Sequence, residues 1–325
     1  MSESLVTSCV ERQLGFAPAW LRRQVDGERL RRSAERQVRA DLARVASLEF
    51  ARGFQQACPH PRAELEDYAF KLLPIGVRQW LVTSLRFRGG DLAWPFVQVD
   101  HSTIAIVDRN GWTIVERALG DAYGHIAPKA IRIFDASDVL LRELSGRPVT
   151  CDVRFYAATL GELRSIELPP LDVALEVRPV ARVSDDGFRR YCAIYEGLRG
   201  VSAIHRPTSV WHEKLEDLAD AARDGVVAEV FVEGEWAGLF AYLPLSELFF
   251  DGLCVLEAAL APAARGRGIA AHVHRRLVDV VAAPDEAVLF GHIAEGNEPS
   301  ARAALRAGRR AAGAYWWIDL TAAAA

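Results

Sequence analysis

Lysine is almost missing from this chain: Lys71, Lys129 and Lys214 stand against a background of arginine. Together with abundant alanine, that bias points to GC-rich bacterial coding rather than to chemistry. An excess of charge is missing too. The balance of 39 basic to 43 acidic residues, with a pI near 6.1, gives no electrostatic case for a nucleic-acid partner. No apolar run approaches the ~18 residues of a spanning helix, and the N-terminus lacks the basic, apolar and small-residue pattern of an export signal. No membrane partner is therefore expected, and a cytoplasmic place is. The five cysteines, Cys9, Cys58, Cys151, Cys192 and Cys254, are odd in number and without paired spacing. They exclude a disulfide framework and a zinc motif, so reduced thiols and no metal are expected. His272 and His274, two apart on a helix, point different ways and make no metal pair.

The 325 residues are enough for two domains with unstapled cores. Residues 1-57 read as a helical segment. From Gly27 to Phe54 the apolar positions Leu30, Val38, Leu42, Val45, Leu48 and Phe50 recur among arginines and interleaved acids, the pattern of an amphipathic helix or pair of helices. Residues 58-168 read as an α/β unit. It has helix-like stretches near 63–72 and 77–84, alternation over 96–107, a hairpin turn at Asn110-Gly111, a capped helix over 135–144 and a strand over 150–157. Leu168-Pro169-Pro170-Leu171 is the best boundary, since two prolines stiffen a link and forbid pairing. Residues 171-325 then read as strand 174–179, helices 185–198 and 209–223, strands 226–232, 237–243 and 253–260, helix 271–283, strand 287–294, helix 301–307 and a final strand 315–320. The fold class is mixed α/β. No short-period repeat occurs, and the only low-complexity tract is the alanine tail.

Arg265-Gly266-Arg267-Gly268-Ile269-Ala270 lies between a predicted strand and a predicted helix. A glycine-bearing turn there directs several backbone N–H groups and the positive end of a helix dipole at one small volume, which suits a phosphate. Arg265 and Arg267 add cations that suit a pyrophosphate better than a carboxylate. Further on, Asn297-Glu298-Pro299-Ser300 opens a short helix closed by Gly308. In this order the two elements resemble the GNAT superfamily of acyl-CoA-dependent N-acyltransferases. Arg265, Gly268 and Ala270 match its R/Q-x-x-G-x-G/A signature, while Asn297, Ser300 and Gly308 match its second element. The resemblance covers about residues 174 to 320. It implies a GNAT-like fold in the C-terminal half, with 58-168 open to being a degenerate second copy that lacks the cofactor turn.

By that resemblance, the N–H groups of Arg267, Gly268, Ile269 and Ala270 hold the pyrophosphate of coenzyme A. The strand end from Ala258 to Leu260 pairs with the pantetheine arm, and Asn297 and Ser300 line it. The co-substrate is acetyl-CoA or another acyl-CoA; the acceptor is a primary amine of a small metabolite or protein, and a homodimer stays open. Direct attack needs a neutral amine, a polarised carbonyl and a proton for the thiolate. Glu257 is a carboxylate inside the apolar run Leu253 to Leu260, so it must face a cavity or be paired. It is read as base or substrate anchor. His292, on the next strand, is read as a second base paired with Glu257 across two splayed strands. Asp251 is a weaker candidate. Relatives carry a tyrosine acid where this chain has Ala304, leaving Tyr315 or Tyr242 as substitutes; Cys254 is read as inert. His205 and Trp211, with Arg199, Arg206 and His212, are read as lining the acceptor. A non-catalytic acyl-CoA-binding regulator stays as the alternative, whereas a Rossmann-type enzyme is excluded by the late turn without G-x-G-x-x-G spacing.

Overall fold

The computed structural model describes residues 2–321 apart from 107, 136, 137 and 208. The chain opens on four helices, α1 (Glu3–Gly15), α2 (Ala19–Gln24), α3 (Gly27–Ala43) and α4 (Leu48–Ala57). There follow β1 (Lys71–Gly76), β2 (Gln79–Phe87), β3 (Pro95–Ser102), α5 (Arg109–Tyr123), β4 (Ala130–Asp135), α6 (Asp138–Ser145), β5 (Val149–Thr159) and α7 (Leu160–Ser165). The C-terminal half comprises β6 (Leu175–Val180), α8 (Asp185–Leu198), α9 (Leu215–Asp224), β7 (Val226–Val232), β8 (Glu235–Glu247), β9 (Phe250–Leu260), α10 (Ile269–Val280), β10 (Val288–Ala294), α11 (Glu298–Arg306) and β11 (Arg310–Asp319). Among the described residues no helix is long and apolar enough to cross a membrane.

Among the described residues the strands join one mixed sheet of 11, in the order β1-β2-β3-β4-β11-β5-β10-β9-β8-β7-β6. The joints β3/β4 and β9/β10 are parallel, each reached across a helix, α5 or α10; the other joints are antiparallel. The two halves therefore repeat one plan: an antiparallel meander, a crossover helix and a parallel partner strand. They also exchange strands, because β5 pairs with β10 and the terminal β11 is inserted between β4 and β5. The expected units 58-168 and 171-325 do not close as separate sheets, although the Pro169-Pro170 link lies between α7 and β6 as a segment without regular structure.

Helices cover both faces of the sheet. In the C-terminal half Ile269, Val273, Leu277 and Val278 of α10 pack on Phe240, Tyr242 and Leu289, while α8 and α9 bury Tyr191, Ile194, Tyr195 and Leu218 on the other face. The seam between halves is aromatic: Phe155 of β5 stacks on Phe250 of β9 with centroids 5.5 Å apart, and Phe250 on Phe290 at 5.1 Å. Each such ring contributes about 2–3 kcal/mol by burial. Ser33 of α3 fastens the helical segment here, donating from Oγ to the carbonyl of Phe250 at 2.8 Å.

Four local expectations change. The stretch 77–84 is strand rather than helix, since Leu81 to Leu85 are buried on both faces between β1 and β3. The stretch 63–72 holds only a short 3-10 turn, Leu65–Tyr68, before β1 begins. Asn110-Gly111 makes no hairpin: Asp108 accepts from the Gly111 N–H at 2.7 Å, and the buried stripe Trp112, Val115, Leu119 and Tyr123 carries a helix. The helix expected over 209–223 starts only at Leu215, leaving 209–214 as a loop. Of the alternation expected over 96–107, β3 takes the part to Ser102, and Val107 lies outside the described residues. The same holds for residues 136 and 137 at the start of the helix expected over 135–144, and for the alanine tail at 322–325.

Candidate active site

The site begins with how β9 leaves its neighbour. β9 and β10 pair only at Gly252 with Val288, Leu253 with Leu289 and Cys254 with Phe290. Gly252 permits this approach, because a Cβ there would stand 2.3 Å from the Val288 carbonyl oxygen. Beyond that point each strand follows its other partner, β9 along β8 as far as Leu260 and β10 along β5 as far as Ala294. The two strands part. A bulge sits where they do: Ala241 faces Glu257 and Tyr242 faces Val255, so Leu256 has no partner in β8. A cavity of about 1090 Å³ runs into the gap.

The turn before α10 forms one wall. Gly266 and Gly268 take φ of 76° and 79°, the left-handed region that glycine enters at least cost. No side chain caps α10, and among the described residues no acceptor takes the N–H groups of Gly266, Arg267 or Gly268. The first-turn amides of Ile269, Ala270 and Ala271 have no intrahelical acceptor either, so a run of donors faces the cavity with the helix dipole behind it. Arg265 lines the cavity while its Nε donates to the Leu260 carbonyl at 2.8 Å. Arg267 does not join it there; its guanidinium lies 3.7 Å from Glu233. Arg302 and Arg306 of α11 also line the cavity, and it is Arg306 that faces the turn, its Nη1 3.6 Å from where a Cβ on Gly268 would stand. Neither was read from the sequence. Asn297 and Ser300 also line the cavity, with Asn297 Oδ1 accepting the Ser300 N–H at 3.4 Å as the helix cap.

Opposite this wall Glu257 is buried and richly bonded. Tyr195 Oη donates to Glu257 Oε2 at 2.7 Å, Tyr191 Oη donates to the same oxygen, and the Ala258 N–H donates to Oε1 at 2.7 Å. Burial raises the Glu257 pKa, opposed by the two tyrosine hydroxyls and that amide. Burial and the nearby carboxylate hold both tyrosines well above the usual phenol range. Tyr191 Oη in turn accepts the Glu213 N–H at 2.7 Å. Glu213 lines the cavity, and burial followed by the charge of Glu257 pushes its pKa up to about 7. Sequence reasoning missed Glu213, Tyr191 and Tyr195 as a group. The only signal for the tyrosines was the apolar face of α8, which reads equally well as plain core, and Glu213, in the loop before α9, gave none.

The expected pairing of His292 with Glu257 does not occur. Side chains alternate along β10, so His292 falls on the face of Phe155 and Phe290, and its Nε2 lies 2.9 Å from Glu247 Oε2. It still lines the cavity, as do Ala258, Leu260, Ile269 and Ala270. His205 and Trp211 line the cavity too. His205 Nδ1 is 2.7 Å from Ser202 Oγ, and burial lowers its pKa. Trp211 packs on Tyr195 at 6.0 Å between centroids. Asp251 is held by Arg29 at 3.1 Å and by Ser246, away from this cavity. Burial pushes the Cys254 thiol up to about 12, which leaves it un-ionised at neutral pH. Ala304 is fully buried against Tyr156 and Ile293; Tyr242 and Tyr315 lie outside the cavity lining. The N-terminal half closes the far end with Phe87, Arg88, Phe96, Arg132 and Asp152.

No family model matches the chain, and no curated protein matches it in sequence. Among solved structures it is similar to a GCN5-related N-acetyltransferase from Sphaerobacter thermophilus, at 16% identity over 87% of this chain and 96% of that one, with a TM-score of 0.48. A GCN5-related N-acetyltransferase from Kribbella flavida is similar at 11% identity, 85% and 96% coverage and a TM-score of 0.45. A tandem GNAT protein from the clavulanic acid biosynthesis pathway is similar at 14% identity, 83% and 95% coverage and a TM-score of 0.40. The chemistry has to be read from the residues themselves.

Proposed function

We propose that this protein is an acyl-CoA-dependent N-acyltransferase of the GNAT type, acting on a primary amine of a small metabolite or a protein. One observation carries the reading. An uncapped helix start with unclaimed amides and two arginines opens onto a cavity that enters the gap between two parting strands. Such amides suit a diphosphate, and the free edge of β9 at Ala258 to Leu260 suits an extended amide-bearing arm. Glu257 is the base in this reading. Burial raises its affinity for the amine's proton, and the Glu213 carboxyl, whose pKa lies near 7, lines the same cavity as a second proton acceptor. His292, paired with Glu247, also lines the cavity.

Titration calorimetry with free coenzyme A tests the binding half, and thiol release from acyl-CoA thioesters across an amine panel tests the chemistry. Micromolar binding and amine-dependent release are expected. Binding without release from any thioester would leave a non-catalytic acyl-CoA-binding protein; no heat with any coenzyme A derivative would end the reading.

A further inference from the structure

A cation lining the cavity has no role in the acyl-transfer reading. Arg309 lies between α11 and β11 and is only 4% exposed. Its Nη2 lies 3.2 Å from His274 Nε2. Arginine only donates, so Nε2 is the acceptor, and neutral His274 carries its proton on Nδ1, 2.5 Å from Tyr242 Oη. Arg309 Nε is buried without an acceptor, and among the described residues no carboxylate comes within ion-pair distance. A buried guanidinium whose one partner is a neutral imidazole is costly unless something else completes it.

Its position says what would complete it. Arg309 lines the cavity, and its Nη1 is 3.2 Å from where a Cβ on Gly291 would stand; Val255 Cβ is 3.0 Å from the same point. Gly291 and Val255 are the first residues past the last β9–β10 pair. The guanidinium therefore sits in the wedge where the strands part, in space that only a glycine at 291 leaves open.

We propose that Arg309 binds a carboxylate at the far end of the acyl group, so that the preferred co-substrates are coenzyme A thioesters of short dicarboxylic acids. This rests on the acyl-CoA reading, with the thioester beside β9 at the level of Glu257. From there to Val255 the strand crosses the Leu256 bulge, so the separation is at most roughly 6–7 Å. With about 3 Å taken by the contact to the guanidinium, about 3–4 Å remains for the chain, the carbon span of a three- or four-carbon diacid. A neutral acetyl group leaves the guanidinium desolvated and unpaired, whereas a carboxylate forms a charge-assisted, bidentate contact.

Calorimetry on the full chain with free coenzyme A, acetyl-CoA, malonyl-CoA and succinyl-CoA tests this, repeated with Arg309→Gln. The wild type is expected to bind malonyl- or succinyl-CoA at least tenfold more tightly than acetyl-CoA, and the ratio is expected to fall to about one in the variant. Equal affinities for all three thioesters in the wild type would overturn the proposal without any variant, as would a preference that survives Arg309→Gln. Should the variant not fold, the wild-type ratio decides. The free coenzyme A arm separates the failures: no heat there or with any thioester removes the acyl-CoA reading and this proposal together, while heat without a preference removes this proposal alone.

Discussion

Two glycines two residues apart allow the diphosphate turn to be tested against itself. Gly266 and Gly268 have nearly the same left-handed φ, 76° and 79°. An alanine at either pays about 1–2 kcal/mol for that conformation. For a chain of 325 residues, whose unfolding entropy scales with length, this lowers Tm by roughly 1.5–3 °C in each variant. The two differ in what the methyl meets. At Gly266 it enters open space, but at Gly268 it stands 3.6 Å from Arg306 Nη1, in the gap between the amides and that cation. A diphosphate oxygen held by both cannot share that gap with a methyl. Gly268→Ala should therefore lose about tenfold or more in coenzyme A affinity, equivalent to about 1.4 kcal/mol, while Gly266→Ala loses far less at the same Tm. Melting curves and titration calorimetry on the pair measure both quantities. Equal affinities in the two variants at equal Tm would refute the assignment of these amides and Arg306 to the diphosphate.

Glu257→Gln should lower kcat by about 100-fold or more, read as thiol release; a rate within tenfold of wild type would remove Glu257 as the base. Glu213 has a pKa raised from 4.5 to about 7, so the folded state keeps its proton to higher pH than the unfolded chain does. Its contribution to stability is full below about 4.5 and is lost as pH rises through about 7. Relative to the wild type, Glu213→Gln should thus gain stability between pH 5 and pH 8, and superimposable Tm-versus-pH curves would contradict the shift. Gly252→Ala puts a methyl 2.3 Å from the Val288 carbonyl oxygen. It should cost about 2 kcal/mol or more by prying apart the last pairs before the gap, and a denaturant midpoint like that of the wild type would show that β9 and β10 do not meet there.

The parts of this protein that were legible in the sequence are those whose cause is local. The helix from Asp185 to Leu198 follows from the Ser184 cap, which accepts the Gly187 N–H, and the strand Val226–Val232 from its short, nearly continuous run of β-branched and other apolar residues. The Gly268 turn was legible because only a glycine turns a strand into a helix start there without strain. Glu257 stood out as a charge in an apolar run, which physical cost alone marks as paired or cavity-facing. Reading 77–84 as a helix failed because burial on both faces erases the alternation that marks a strand.

Tertiary structure decided how these pieces meet. Pairing of β5 with β10 and of β11 with β4 joins segments more than a hundred residues apart, and no local pattern encodes which edge a strand will choose. The same long-range pairing sends His292 to Glu247 rather than to Glu257, because a strand's two-residue alternation fixes a side chain's face only once its neighbours are set. Arg306 and Arg309 reach the cavity only because α11 packs beside the Gly268 turn and the gap after Cys254. Composition and spacing determined which residues were able to carry charge, turn the chain or be buried. Their convergence on one cavity came from packing, since proximity between distant residues is a property of the assembled sheet and not of any stretch of chain.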